Sequence, residues 1–343
     1  MERTRRFAIG RISPQTSARI SNAGLIAAFL VVFIHIDIQP DCPSYVSWTV
    51  DVVEAVLCGV AVPTFFVIAG YLLAGRVGES GWWARAIRKR AVTLGVLYLL
   101  WGTLFFFFDY FRSHDASLLG LIRSLGFTSC EMPGLYPLWF VRSLFALVLA
   151  SPVLTWLLSR FGKALLVGLF ALALVGPVVR DSTFPVVRIA GNVFVVFGGM
   201  FYFAVGLFLR SKGTSIAPST RRGVSVGIVG LLLTVTGAMG KITGYSLVSS
   251  YCSTVGVPLL MTGLWRVVPS ARWPEWLTGC AFPIFLLHVF AIGVCNNFLF
   301  REVNGFFSLL GKYVFAVALP IVAVLAAKRV VPRLTAFAFG GRC

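Results

Sequence analysis

Ten apolar runs of about 16–23 residues divide this chain, and that is the length a helix needs to cross a bilayer. They fall at 21–38, 57–75, 91–108, 138–158, 164–179, 190–209, 224–240, 247–265, 276–294 and 312–327. Helices satisfy their own backbone in hydrocarbon, so the runs specify an all-α integral membrane protein, a bundle of about ten transmembrane helices. Composition agrees. Only 12% of the residues are charged and 58% are hydrophobic, whereas soluble domains carry about 25% charged residues. Residues 45–56 read as an amphipathic lead-in to the second span. No internal repeat or low-complexity linker interrupts the pattern, and residues 1–343 read as a single domain.

The formal net charge of +18 would suggest nucleic acid as the partner of a soluble protein. Here its distribution has a blander cause. With both termini in the cytoplasm, 22 of the 30 basic residues fall in inner segments, and of the twelve acids only Glu2, Glu79 and Glu275 do. That bias orients a membrane protein, so the expected partner is the bilayer and not nucleic acid. The basic N-terminus lacks a small-residue cleavage site and runs into an apolar stretch of membrane length, unlike a signal peptide.

His35 lies deep in the first apolar run, and an ionisable group there marks a candidate site for proton transfer. It is sixteen residues beyond Arg19, or about 24 Å along a helix, which places it in the outer third of the membrane. His288 is thirteen residues past Glu275 and reaches a similar height, so the two imidazoles could line one cavity. Asp37 is two positions from His35 and points in a different direction on a helix, a poor partner unless the helix breaks before Pro40. Asp51 and Glu54, one turn apart, are the better candidates to fix the tautomer of His35 and raise its basicity. The blander reading is a neutral histidine hydrogen-bonded to a neighbouring helix.

Arg85, Arg88, Lys89 and Arg90 cluster at the cytoplasmic mouth of the third span. Such a cluster suits lipid headgroups and topology, or the phosphates of a cytosolic donor. Arg142, near the outer end of the fourth span, either snorkels to the interface or faces a pocket for an acidic or hydroxyl-rich acceptor. The seven cysteines form no CxxC pair or Cys/His cluster, so no metal site is expected. Cys42 and Cys130 fall in outer loops, where both a disulfide and two unpaired residues are open.

Five segments in this order resemble the membrane-bound acyltransferase family 3. Leu25–His35 is similar to the family's first helix, which ends in its catalytic histidine. Pro63-Thr-Phe-Phe-Val-Ile-Ala-Gly-Tyr71 resembles its Phe-Phe-x-x-Ser-Gly-Tyr segment, with Ala69 in the serine's place. Arg88-Lys-Arg90 followed by Tyr98–Trp101 resembles its basic run and Pro-Tyr-x-x-Trp helix, with Leu97 in place of proline. Leu138-Trp139-Phe140 and Phe285-Leu-Leu-His288 resemble its Leu-Trp-Phe and Tyr-Leu-x-His segments.

The resemblance implies a multi-pass enzyme of the plasma membrane that O-acylates the sugars of surface or lipid-linked glycans. Acetyl-CoA or another acyl-CoA would serve as co-substrate, with no permanently bound cofactor. It implies His35 as base and, joined to the reading of the residues, Arg85, Arg88 and Arg90 on the donor's phosphates and Trp139, Arg142 and His288 on the acceptor. One departure stands out. The family places an arginine eleven positions before the histidine and an aspartate three before that, where this chain has Gly24 and Ser21. Two other classes stay open: a proton-coupled transporter or flippase using the same histidines, and an inactive scaffold in polysaccharide assembly. The absence of paired repeats weighs against the transporter.

Overall fold

The computed structural model describes residues 12–36, 43–113, 117, 138–180, 199–216, 221–299 and 305–339, and every element among them is helical. In chain order the helices are α1 (Pro14–Ile34), α2 (Ser44–Val56), α3 (Ala61–Ala74), α4 (Trp82–Arg90), α5 (Leu97–Ser113), α6 (Leu138–Phe161) and α7 (Lys163–Arg180). There follow α8 (Gly199–Ser211), α9 (Arg221–Ile242), α10 (Ser246–Val267), the short α11 (Glu275–Thr278), α12 (Ala281–Val294), α13 (Phe306–Val330) and α14 (Pro332–Ala338).

Seven helical stretches among the described residues are long and apolar enough to cross a membrane: Pro14–Ile34, Ser44–Ala74, Leu138–Phe161, Gly223–Ile242, Ser246–Val267, Ala281–Leu299 and Phe306–Val330. Seven of the ten expected runs coincide with these. The other three differ for visible reasons. The run at 91–108 is split between a π-helical turn, Ala91–Val96, and the 17-residue α5. The run at 164–179 corresponds to α7, whose described apolar part is Lys163–Val175. Of the run at 190–209 only Gly199 onward is described. The lead-in at 45–56 forms α2, which a 3-10 turn at Cys58–Val60 joins to α3 as one 31-residue apolar stretch.

The first helix starts and stops earlier than the hydrophobic run suggests. Ser13 caps it through Oγ, accepting from the Thr16 N–H at 3.2 Å, and Pro14 supplies a preset φ at the first position. At the other end His35 itself is the C-cap, with φ −101° and ψ 7°. The helix therefore ends before Pro40, and the imidazole sits on a helix terminus rather than along a helix face.

Two kinds of contact hold the bundle. One is close backbone crossing at glycines. A methyl group at Gly206 of α8 would lie 2.1 Å from the Val67 carbonyl oxygen of α3, and one at Gly70 would lie 2.1 Å from the Phe203 carbonyl oxygen. The α9–α10 hairpin is built the same way: a methyl at Gly230 would meet the Leu260 nitrogen at 2.1 Å. In lipid, where apolar surface gains little by leaving its surroundings, such backbone proximity drives helix association. The other is interdigitated apolar packing, in which α1, α12 and α13 share a cluster of Leu25, Ala28, Val32, Ile284, Ile292 and Ala316. Asn22, fully buried, ties α1 to the segment after α10 by donating from Nδ2 to the carbonyls of Pro269 at 2.9 Å and Ala271 at 2.8 Å.

Candidate active site

The packing of α1 against α12 brings His35 and His288 together, with ring centroids 4.9 Å apart and planes inclined at 32°. Their similar height, read from helix rise, agrees with this contact. His288 is completely buried, and its Nδ1 lies 2.7 Å from the Phe285 carbonyl oxygen. A carbonyl only accepts, so Nδ1 carries the proton and donates it there. In the neutral ring Nε2 is then an acceptor, and it is buried without a hydrogen-bond partner. A buried acceptor left without a donor costs about 1–3 kcal/mol, which a hydroxyl donor arriving at the site would relieve.

Beneath the histidines lies an aromatic floor. Phe285 is 6.1 Å from His288 and 5.3 Å from Phe140 of α6, and Phe140 meets Phe65 and Phe66 of α3 at 5.7 and 4.8 Å. Four segments singled out in the sequence thus converge here: the end of α1, the Phe65–Phe66 pair, the start of α6 and the Phe285–His288 turn. Trp139 is half-buried with its ring edge-on to Phe140 at 6.3 Å, and Arg142 is half-buried about one turn further along α6. The remaining segment serves elsewhere, since Trp101 donates from Nε1 to the Ala338 carbonyl at 2.8 Å and so docks α14.

Asp51 and Glu54 are placed one turn apart on α2, as expected, and both engage a cation that the sequence did not single out. Lys241 Nζ of α9 lies 2.6 Å from Asp51 Oδ1 and 3.6 Å from Glu54 Oε2. The visible role of the pair is a clamp between α2 and α9. Asp37, Cys42 and Cys130 lie outside the described residues.

The basic cluster follows the far end of α3. From Phe66 to Gly75 the helix rises roughly 14 Å, so the cations stand apart from the histidines. Arg85 is exposed and held by Glu79, 2.8 Å away, and by the Ser80 carbonyl. Arg88 is exposed in the last turn of α4. Arg90 is partly buried; burial first, and neighbouring Arg76 second, pull its guanidinium below the ordinary range. A guanidinium stays charged all the same, so Arg90 and Arg76 make a local excess of positive potential. Sequence reasoning missed Arg210, which is 7% exposed, lies over the Tyr71 ring at 5.2 Å and reaches the end of α3 at Gly75. Nothing in its spacing separates it from an ordinary inner-loop arginine.

Gly24 faces open space, with nothing within 4 Å of where a Cβ would stand. Beside it, Ala23, Ala27 and Leu30 of α1, Ala61 of α3, and Met261 and Trp265 of α10 help line an apolar cavity of about 270 Å³. Among the described residues no group of histidines, cysteines or carboxylates is placed to hold a metal ion.

The acyltransferase domain model of the Acyl_transf_3 family matches residues 25–327. The chain belongs to this family. The match begins at Leu25, directly after the Gly24 departure, and covers every segment on which the resemblance was drawn. The chain is also similar to the succinoglycan biosynthesis protein ExoH of Rhizobium meliloti (strain 1021), at 24% identity over 242 residues, covering 65% of this chain and 62% of that protein. The alignment thus spans less than two thirds of the relative's length. No solved structure matches the chain.

Proposed function

We propose that the protein is an integral membrane O-acyltransferase that moves an acetyl group from cytosolic acetyl-CoA to a sugar hydroxyl of a surface or lipid-linked glycan. The observation that carries the reading is the contact of His35 with His288 inside a chain of acyltransferase family membership. The relative's part in succinoglycan biosynthesis supports a glycan as acceptor. In this reading both termini lie in the cytoplasm, which the charge bias supports, and the membrane is the plasma membrane.

In the reaction, His35 accepts the proton of the sugar hydroxyl as that oxygen attacks the thioester carbonyl. The carbon–sulfur bond breaks, and the departing thiolate takes the proton back. His288, with its tautomer fixed by Phe285, offers Nε2 to a hydroxyl of the acceptor. Trp139 and Arg142 border the acceptor, while Arg85, Arg88 and Arg90 meet the donor's phosphates. The thioester arm passes along the α1 face of Ala23, Ala27 and Leu30 that lines the apolar cavity.

The test is acyl transfer in isolated membranes supplied with acyl-labelled acetyl-CoA, comparing wild type with His35→Ala at matched expression. Removing a general base costs about 10²–10⁴-fold. Label entering glycan with wild type alone supports the assignment. Equal label with both proteins removes His35 from the chemistry and favours a transport or scaffold role.

A further inference from the structure

Lys312 is a lysine inside a membrane-length helix, 5% exposed, on the stripe Ser308–Lys312–Ala316–Pro320–Val324 that α13 buries. It makes no hydrogen bond or ion pair with another described residue. The stem of Lys312 is packed inside the bundle, so its ammonium is held at one place rather than free to range over the headgroups. A cation held there gains from an anion brought to it.

Its position shows which anion would gain. Lys328 lies within electrostatic reach of Cys280, and Lys312 of Cys295, which sets α12 and α13 in antiparallel register. Cys295 stands two turns, roughly 10 Å, beyond His288 along the buried stripe of α12. The next residue of α13, Tyr313, packs against Phe33 at 5.8 Å and donates to the Phe29 carbonyl at 3.3 Å, two turns or less from His35. Lys312 therefore belongs to the same α1–α12–α13 wedge as the two histidines. In this wedge α12 changes to a π-helical turn at Cys295–Leu299, and Asn296 Oδ1 is a buried acceptor without a donor. A cation within reach of Cys295 and an orphaned acceptor on the next residue, Asn296, suit a hydroxylated anion.

We propose that Lys312 is the anion-binding group of the acceptor subsite, pairing with a carboxylate or phosphate on the glycan that reaches the histidines. Calling the ligand a glycan rests on the acyltransferase reading; the presence of an anion site does not. The competing counter-charges are carboxylates of the chain outside the described residues, of which Asp37, Asp41 and Glu302 are nearest in sequence to these helix ends.

The test uses the full-length protein in detergent micelles, and its readout is Tm. Three probes are added separately: methyl glucuronide, inorganic pyrophosphate and neutral methyl glucoside. At saturation one of the two anions raises the wild-type Tm by about 2–4 °C and the glucoside does not. The effective anion names the source, a sugar carboxylate or the diphosphate of a lipid-linked sugar. Lys312→Met abolishes the shift, Lys312→Arg retains it, and Lys312→Met without probe is at least as stable as wild type. No shift with either anion, or an equal shift in Lys312→Met, overturns the proposal. So does a lowered Tm of unliganded Lys312→Met matched by Glu302→Gln or Asp37→Asn, which would reveal an internal pair. Failure of acyl transfer with the anion shift intact would instead count against the acyltransferase reading alone.

Discussion

Replacing Gly206 with alanine tests the crossing that positions the aromatic floor. The new methyl would stand 2.1 Å from the Val67 carbonyl oxygen and 2.7 Å from the Tyr71 nitrogen, both backbone atoms of α3. Neither can turn aside as a side chain would, so α8 must retreat by about 1 Å to restore ordinary contact. Overpacking of this kind costs about 1–3 kcal/mol, and the helix preference of alanine over glycine returns about 0.5–1 kcal/mol. The net loss is about 0–2.5 kcal/mol, at most about 5–10 °C in Tm, and the gap from a variant that gains only the helix preference is about 1–3 kcal/mol. Gly24→Ala is the control, because nothing lies within 4 Å of its Cβ and only the helix preference acts. A thermal melt of both variants in the same detergent, followed by size-exclusion fluorescence, gives the comparison. Gly70→Ala meets the Phe203 carbonyl oxygen across the same crossing, so the double variant should lose less than the sum of the singles. A Gly206→Ala protein as stable as Gly24→Ala would refute the crossing.

His288→Phe keeps the ring and removes the Nε2 acceptor; the KM for the acceptor should rise roughly 2–10-fold, the value of a neutral hydrogen bond of about 0.5–1.5 kcal/mol. An unchanged KM in a transfer assay would count against acceptor contact. Asn22→Asp should be less stable than Asn22→Ala, because an acid turns acceptors toward the carbonyls of Pro269 and Ala271 that the amide now donates to; Tm values in the reverse order would contradict these bonds. Gly24→Arg has open space at its Cβ and should lower the KM for acyl-CoA; an unaltered KM would mean the donor is engaged elsewhere.

Much of this architecture was legible because membrane-length apolar runs carry strong information. The helices at 138–161, 246–267 and 281–294 follow from run length alone. Their ends do not. Hydropathy extends past His35, but the backbone stops there, and that changes the imidazole from a helix-face residue to a cap. The histidine contact was legible through rise per residue, since two parallel helices entering from one side reach equal heights. The Lys241 clamp on Asp51 and Glu54 was not, because nothing local says that α9 lies beside α2. Nor was Arg210 against Tyr71, a contact created by the glycine crossing, and glycine spacing alone names no partner.

The α9–α10 hairpin bears on biogenesis. Its two helices are neighbours in sequence and touch through backbone at Gly227, Gly230 and Gly263, so their association needs no other part of the protein. Such a pair can close as soon as both members have left the insertion machinery. The histidine pair is the opposite case, since His35 is synthesised near the start and meets its partner only when α12 arrives near the end. A ribosome-bound or prematurely terminated chain can therefore hold a finished hairpin while lacking any assembled His35–His288 centre. Synthesis of α12 is therefore the step that lets the two imidazoles meet.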